Sequence, residues 1–370
     1  MKKSIHLVSF DIPYPPNYGG IIDVFFKIKE LNKLGVAIYL HTYISDDKTK
    51  QSTLEKYCKK VFYYKRKNSF LSLFSRLPFR VKSRSSKELV INLKSFEIPI
   101  IIEGLHSAYP LVKFNYKKTY VRTHNIEHNY FFGLYKSEKN LLKKAFFYLE
   151  AMKLKKFESI LKRVTGIFTI SPFEQNYFSE VYGEKTNYIP VFHQAKKIES
   201  NLKKGTFVLY HGDLRVADNV RAALFLIDVY KETSFEFIVA SSCKNKYVLA
   251  EIEKYKNLYF EDIPTQESLA KLFEKAHVNT LLTFQKTGIK LKLLNTLYQG
   301  KHIIVNSKMI EDTGLEDFCE LANTKNEILE KTTKLFSKDF SNQQIVLRQE
   351  TLKDFNPTEN AQKMINIIFR

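Results

Sequence analysis

Cysteine is scarce in this chain: its 370 residues include three, Cys58, Cys243 and Cys319. They lie far apart and form no paired spacing, which excludes both a disulfide framework and a cysteine-based zinc word. A reducing, cytoplasmic setting is the expectation. Long apolar runs are missing as well, and with no stretch of about 18 consecutive apolar residues no helix is expected to cross a bilayer. The apolar run after Met1-Lys2-Lys3 stops at Asp11 and meets Pro13, Pro15 and Pro16. A secretory signal needs a longer apolar core, so this run reads as a first β-strand. No internal repeat or low-complexity segment stands out.

Acid is also in short supply, with 39 Asp and Glu against 59 Lys and Arg, a formal net charge of +20. The excess is concentrated. Residues 56–87 contain eleven Lys and Arg and no Asp or Glu, interleaved with Phe62, Tyr63, Tyr64, Phe70, Leu71, Leu73, Phe74, Leu77 and Phe79. Basic groups mixed with apolar ones suit an anionic membrane surface, where each Lys or Arg contributes about 1 kcal/mol. The same mixture fits stacking and phosphate contacts with single-stranded nucleic acid, although no recognition motif accompanies it. A plainer reading makes the charges a solvated face and some of the aromatics core, with residues 61–64 a short strand. The membrane reading is the favoured one, and no nucleic-acid partner is expected.

What is abundant is material for cores. With 44% hydrophobic and 14% aromatic residues, the chain can fill two ordinary domains. Residues 5–10 read as an apolar strand, followed by a proline-rich loop carrying Gly19-Gly20. Ile21, Ile22, Phe25, Ile28, Leu31 and Leu34 then recur at helical spacing up to Gly35, and residues 36–43 form the next strand. Further strands are expected at 98–102, 120–123 and 166–170, with a long basic helix over 138–161. Each strand is a continuous apolar run, the pattern of a parallel sheet covered on both faces. The periodicity lapses between Gly183 and Gly205, where a linker is expected. A second series follows: strands at 207–211, 235–240, 258–260, 278–284 and 302–306, with helices between them. The expected fold class is α/β, with two doubly wound parallel-sheet domains at 1–190 and 191–357. Ligands in such sheets bind at the carboxyl ends of the strands, so the cleft between the domains is the default site.

The helix expected from Gly288 begins Thr287-Gly288-Ile289-Lys290-Leu291-Lys292. A helix start gathers unpaired N–H groups and the positive dipole end, and two lysines deepen that field into a seat for phosphate. The plainer alternative is that Lys290 and Lys292 solvate an exposed turn. Acidic residues would serve helix stability better there.

The words Pro13-Tyr14-Pro15-Pro16 with Gly19-Gly20, Arg122-Thr123-His124-Asn125-Ile126-Glu127-His128, Ile170-Ser171-Pro172, Ile189-Pro190, Gly212 and Thr287-Gly288-Ile289-Lys290 to Asn295 occur in a fixed order. In that order the chain resembles the GT-B glycosyltransferases, glycosyltransferase family 4 in particular. Ile102-Glu103-Gly104-Leu105-His106 adds a likeness to bacterial sugar transferases of surface-polysaccharide assembly. The resemblance covers nearly the whole chain. It implies a nucleotide diphosphate sugar as donor, a glycan or lipid-linked acceptor, and a retaining, metal-independent transfer with no cofactor. A terminal helix over 358–370 packing back on the first domain is implied too.

By the same resemblance, the catalytic candidates are His124, Lys290 and Arg215. Donor binding falls to Gly19, Gly20, Gly212, Thr287, Gly288, Ile289, Lys292, Asn295 and Ile263, and His106 and Glu103 are acceptor-side candidates. Plainer readings stand beside these: Gly19 and Gly20 as turn formers, His124 satisfied within a loop, His106 hydrogen-bonded by nearby Glu103, Glu127 and His128 as helix-start residues, Ser171 as a helix cap. Two departures matter. The family's paired glutamates are Thr287 and Asn295 here, and the basic residues usual after the second domain's first glycine are replaced around Asp213, Asp218 and Asn219. Phosphate neutralisation would then rest on Lys290, Lys292 and Arg215. A degenerate relative that binds a sugar nucleotide or a protein partner without catalysis is the alternative.

Overall fold

The computed structural model describes residues 3–16, 19–44, 49–138, 140–195, 197–284, 291–311 and 313–370, without the side chains of 70 and 71. They divide into two compact units, 1–194 with 354–370, and 195–353.

The first unit is built on seven strands: β1 (Ser4–Val8), β2 (Ala37–Ile44), β3 (Lys60–Lys65), β4 (Ile100–Glu103), β5 (Thr119–Arg122), β6 (Gly166–Thr169) and β7 (Thr186–Tyr188). All pair in parallel, in the order β3-β2-β1-β4-β5-β6-β7. The order reverses at β1 and β4, the switch point where such sheets receive ligands. Helix Gly19–Lys33 covers one face, setting Val24, Phe25, Ile28 and Leu31 on Ile5, Leu7, Ile38 and Leu40. Helix Pro357–Ile368 adds Ala361, Met364, Ile365 and Ile368 to the same core, and Thr358 Oγ1 donates to Glu30 at 2.7 Å.

Two elements depart from the sequence reading. The helix expected over 138–161 is shorter, Leu141–Phe157 closed by a 3-10 turn Glu158–Arg163, and Glu127–Ser137 is a separate helix before it. Asn140 restarts the helix by accepting from the amide of Lys143 at 3.1 Å. Within the stretch expected as linker, Thr186–Tyr188 is the sheet's last strand, too short and polar to announce itself.

The second unit holds β8 (Phe207–His211), β9 (Phe237–Ser241), β10 (Leu258–Asp262), β11 (Ala276–Leu281), β12 (His302–Val305) and β13 (Glu320–Leu321). These are parallel in the order β10-β9-β8-β11-β12-β13, with the reversal at β8 and β11. Helices Ala217–Tyr230 and Lys325–Phe336 bury Leu226, Tyr230, Ile328 and Leu335 against Val208, Val239, Val278 and Ile304.

The basic segment 56–87 resolves into parts with different physical roles. Lys60–Lys65 is the edge strand, with Tyr64 buried against the first unit's core, while Lys59 and Lys60 lie over the rings of Tyr39 and Phe62 at 5.4 and 4.7 Å. Phe74 remains 76% exposed. Some of the interleaved aromatics are thus sheet core.

Candidate functional site

At the carboxyl edge of the first sheet, chain geometry and buried charge converge on β1, β4 and β5. Arg122 ends β5 and is fully buried. Its Nε and Nη2 donate to the two carboxylate oxygens of Asp23 at 2.7 Å each, and Nη1 and Nη2 reach the carbonyls of Ile189 and Pro190 at 2.9 and 3.1 Å. Asp23 also accepts from Lys27, one helical turn on, at 3.0 Å, and from the amide of Phe192 at 2.8 Å. Lys27, itself fully buried, sits 2.8 Å from Glu103 at the end of β4. The other oxygen of Glu103 takes His124 Nε2 at 2.9 Å.

Two acids and two bases therefore cancel in a dry place, and His124 is held at the rim with a tenth of its side chain exposed. Burial alone would raise both carboxyls. Arg122 and then Lys27 hold Asp23 well below the usual carboxylate range, and Lys27 followed by His124 lowers Glu103. Asp23, Glu103 and His124 bring ligand-type atoms within 4.8 Å of one another, a cation-binding pattern. The cation in place is the ammonium of Lys27.

A second pairing flanks the first. His106, in the 3-10 turn Leu105–Ser107, lies 2.9 Å from Glu127 at the start of helix Glu127–Ser137. Burial lowers the His106 pKa, with Glu127 opposing and Arg84 and Arg80 adding to the drop. The ring of Phe10 meets both imidazoles edge-on, His124 at 5.5 Å and His106 at 6.4 Å. Gly104, at φ 66°, turns the chain between β4 and His106. Gly20 is needed for another reason: a Cβ there would come within 2.8 Å of the Phe10 ring. Gly19 starts helix Gly19–Lys33 and is exposed. Ser171 Oγ accepts from the amide of Glu174, capping helix Pro172–Tyr182, and His128 lies 3.3 Å from Glu158.

In the second unit the corresponding edge is at β8 and β11. Gly212 follows β8 in a tight place, where a Cβ would meet the Tyr210 hydroxyl at 3.0 Å and Asn219 at 3.2 Å. Arg215 does not project alone: its guanidinium makes a forked pair with Asp213 at 2.8–3.1 Å, leaving little net charge for phosphate. Lys292, near the start of helix Leu291–Gln299, donates to the carbonyl of Leu282 at 3.1 Å and to Asn219 Oδ1 at 3.2 Å, tying the end of β11 to the start of helix Ala217–Tyr230. Asn295 Oδ1 accepts from Gln299, one turn on. Ile263 is half-buried beside Leu269 and Phe273 just after β10, its amide on the carbonyl of Ser241. Asp218 accepts from Thr283 Oγ1 at 2.7 Å and from the amide of Phe284, which accounts for an acid where the family has a base. Thr287, Gly288, Ile289 and Lys290 lie outside the described residues.

The structure brings the sequence candidates Glu103 and His124 into one cluster, with His106 beside it; the sequence reading did not single out two further members of that cluster, Asp23 and Lys27. Their signal was an acid and a base at i, i+4 inside the apolar stripe of helix Gly19–Lys33, where solvated pairs do not belong.

This architecture has well-populated company. A sucrose-phosphate synthase from Thermosynechococcus elongatus superposes over 99% of this chain and 96% of its own with a TM-score of 0.67 at 14% identity. A TarM variant from S. aureus, solved with fondaparinux, alpha-GlcNAc-glycerol and UDP, does so over 99% of both chains at 0.65 and 11% identity. The fold is that of the GT-B glycosyltransferases. In sequence, the chain is 26% identical over 349 residues, 89% of each protein, to an uncharacterized 44.6 kDa protein of the Klebsiella pneumoniae cps region. No family model matches the chain.

Proposed function

We propose that this protein is a glycosyltransferase, related to family 4, that moves a sugar from a nucleotide diphosphate sugar to a hydroxyl of a glycan or lipid-linked acceptor during capsule-type polysaccharide assembly. The observation that carries the reading is the charge-balanced cluster at the switch point of the first sheet, which holds His124 at the rim of a GT-B fold. The likeness to a cps-region protein supports the polysaccharide context. Charge develops on the departing β-phosphate in such a transfer and needs preorganised positive potential. With Arg215 paired to Asp213 and Lys292 bridging Leu282 and Asn219, that task falls chiefly to Lys290 and the amides of Gly288 and Ile289. Retention of configuration and independence from divalent metal belong to the same proposal. They are checked by the anomeric configuration of the product and by assays in EDTA.

The first test is thermal-shift titration with UDP, GDP, ADP, CMP and their common sugar conjugates. One nucleotide diphosphate should raise the melting temperature selectively, by the mass action of binding to the folded state, and Lys290→Ala should weaken that response. A well-folded sample that responds to none would leave the degenerate, partner-binding reading, which the Asp213–Arg215 pair otherwise favours. That reading fails if the wild type transfers or hydrolyses a sugar nucleotide.

We also propose that the first unit docks on the inner face of the cytoplasmic membrane. Beside segment 56–87, helix Leu141–Phe157 exposes Leu141 (80%), Leu142 (84%) and Leu149 (57%) among Lys143, Lys144, Lys153, Lys155 and Lys156. Sedimentation with vesicles containing anionic lipid should fall sharply when Lys143, Lys144, Lys155 and Lys156 are changed to Glu. Equal sedimentation of variant and wild type would defeat docking through this helix.

A further inference from the structure

Arg84 is 3% exposed, and the acid that acts on it electrostatically is Asp11. Its Nε donates to the carbonyl of Phe10 at 2.8 Å and Nη1 to the carbonyl of Arg80 at 2.9 Å, while its own carbonyl accepts from Tyr43. Among the described residues, no carboxylate lies within ion-pair distance of Arg84 or Arg80. Burial, then Arg66 and Arg80, pushes the Arg84 guanidinium down to about 9, so the protein maintains this charge at a cost. A desolvated cation with no carboxylate in direct contact is unusual in a fold that neutralises Asp23 and Glu103 so completely nearby.

The surroundings show what would supply the missing anion. Arg84 grips the carbonyl of Phe10, whose ring touches both His106 and His124, and Arg80 and Arg84 each act electrostatically on His106. The arginines therefore sit beside the imidazoles at the carboxyl edge of β1 and β4. Their segment is also fastened to the exposed apolar helix. Glu150 accepts from the amides of Phe79 and Arg80 at 2.8 and 2.9 Å, Phe79 packs edge-on against Phe146, and Lys153 donates to the carbonyl of Leu73. Helix Leu141–Phe157 thus holds the segment that carries the cations, and its exposed residues include Leu141, Leu142 and Leu149 with lysines, Tyr148 and Met152.

We infer that Arg80 and Arg84, with His106, bind the diphosphate of a lipid-linked acceptor. This deepens the transferase reading and rests on it for the word acceptor. Guanidinium groups match phosphate oxygens, and the anion would supply the close counter-charge that Asp11, beyond ion-pair distance, does not.

Isothermal titration of the full-length protein with farnesyl diphosphate, farnesol and inorganic pyrophosphate tests the inference. Farnesyl diphosphate should bind, farnesol should not, and pyrophosphate should bind more weakly. Arg80→Gln, at a half-buried position that can be changed without opening the core, should weaken farnesyl diphosphate by about tenfold or more, as loss of a charged hydrogen bond implies, and Arg84→Gln by more. Stabilisation by the nucleotide should be unchanged in Arg80→Gln. Wild-type affinity for farnesyl diphosphate in folded Arg80→Gln would overturn the site. So would an equal loss of nucleotide binding, which would assign the anion to the donor. Arginine-dependent binding of farnesyl diphosphate with no response to any nucleotide would keep the anion site and defeat the transferase reading, so the two failures are distinguishable.

Discussion

Arg122→Met is expected to lower the stability of the first unit by about 3–5 kcal/mol, the usual cost of breaking a buried ion pair from one side. Arg122 is fully buried, takes both oxygens of Asp23, and satisfies the carbonyls of Ile189 and Pro190. Methionine fills much of the volume but leaves two carboxylates, Asp23 and Glu103, sharing a single lysine, and two carbonyls without the Arg122 donors. Against a total stability of roughly 5–15 kcal/mol, that loss separates a folded protein from a marginal one. Arg122→Lys should not rescue it, since an ammonium cannot reproduce the fork. The urea midpoint followed by circular dichroism reads the effect, and a shift worth less than about 1 kcal/mol would show that the network is not held together as described. The pH sign follows from the depressed Asp23 pKa. Its folded value lies below the ordinary 3.8, so its stabilisation is fully present above that value and is lost as pH falls below it. The wild-type advantage over Arg122→Met should therefore hold at neutral pH and shrink only under strong acid.

That network also shows where a sequence stops being legible. The parallel strands could be read because burial on both faces turns them into continuous apolar runs: Phe207–His211 falls on the expected residues. Thr186–Tyr188 and Glu320–Leu321 could not, because edge strands of three and two residues carry too little hydrophobic pattern. The start of the helix expected over 138–161 is set at Leu141 by a side-chain cap from Asn140, a local hydrogen bond that periodicity does not register.

At the site, the chemistry-bearing residue types were visible but their pairing was not. Glu103 and His106 are three residues apart, which suggested a mutual hydrogen bond. The positive φ of Gly104 sends them apart, and each pairs elsewhere: Glu103 with His124, 21 residues on, and His106 with Glu127. Asp23 and Lys27 were not singled out because the residue that gives them meaning, Arg122, is 99 positions from Asp23. In the second unit, the fork between Asp213 and Arg215 bridges only two positions, and it changes Arg215 from a free phosphate ligand into a neutralised one.

Removal of the His124 imidazole should have the largest effect on activity. Its Nε2 is held by Glu103, its ring is braced by Phe10, and the carboxylate behind it is fixed by Lys27. A ring so constrained loses little entropy on meeting a substrate, which is what a preorganised group near the reacting carbon requires. His124→Asn is expected to lower kcat by about 10²–10³, with nucleotide affinity nearly unchanged. Glu103→Gln should act through the imidazole: it removes the carboxylate that orients the ring. A kcat loss of about tenfold with KM nearly unchanged is expected, with His124 still in place. Because Glu103 also balances Lys27, each variant is compared by its urea midpoint. If Glu103→Gln loses stability yet keeps the wild-type kcat, its role is confined to the fold. Full activity in His124→Asn would remove His124 from the reaction altogether and leave the charge-balanced cluster as scaffold.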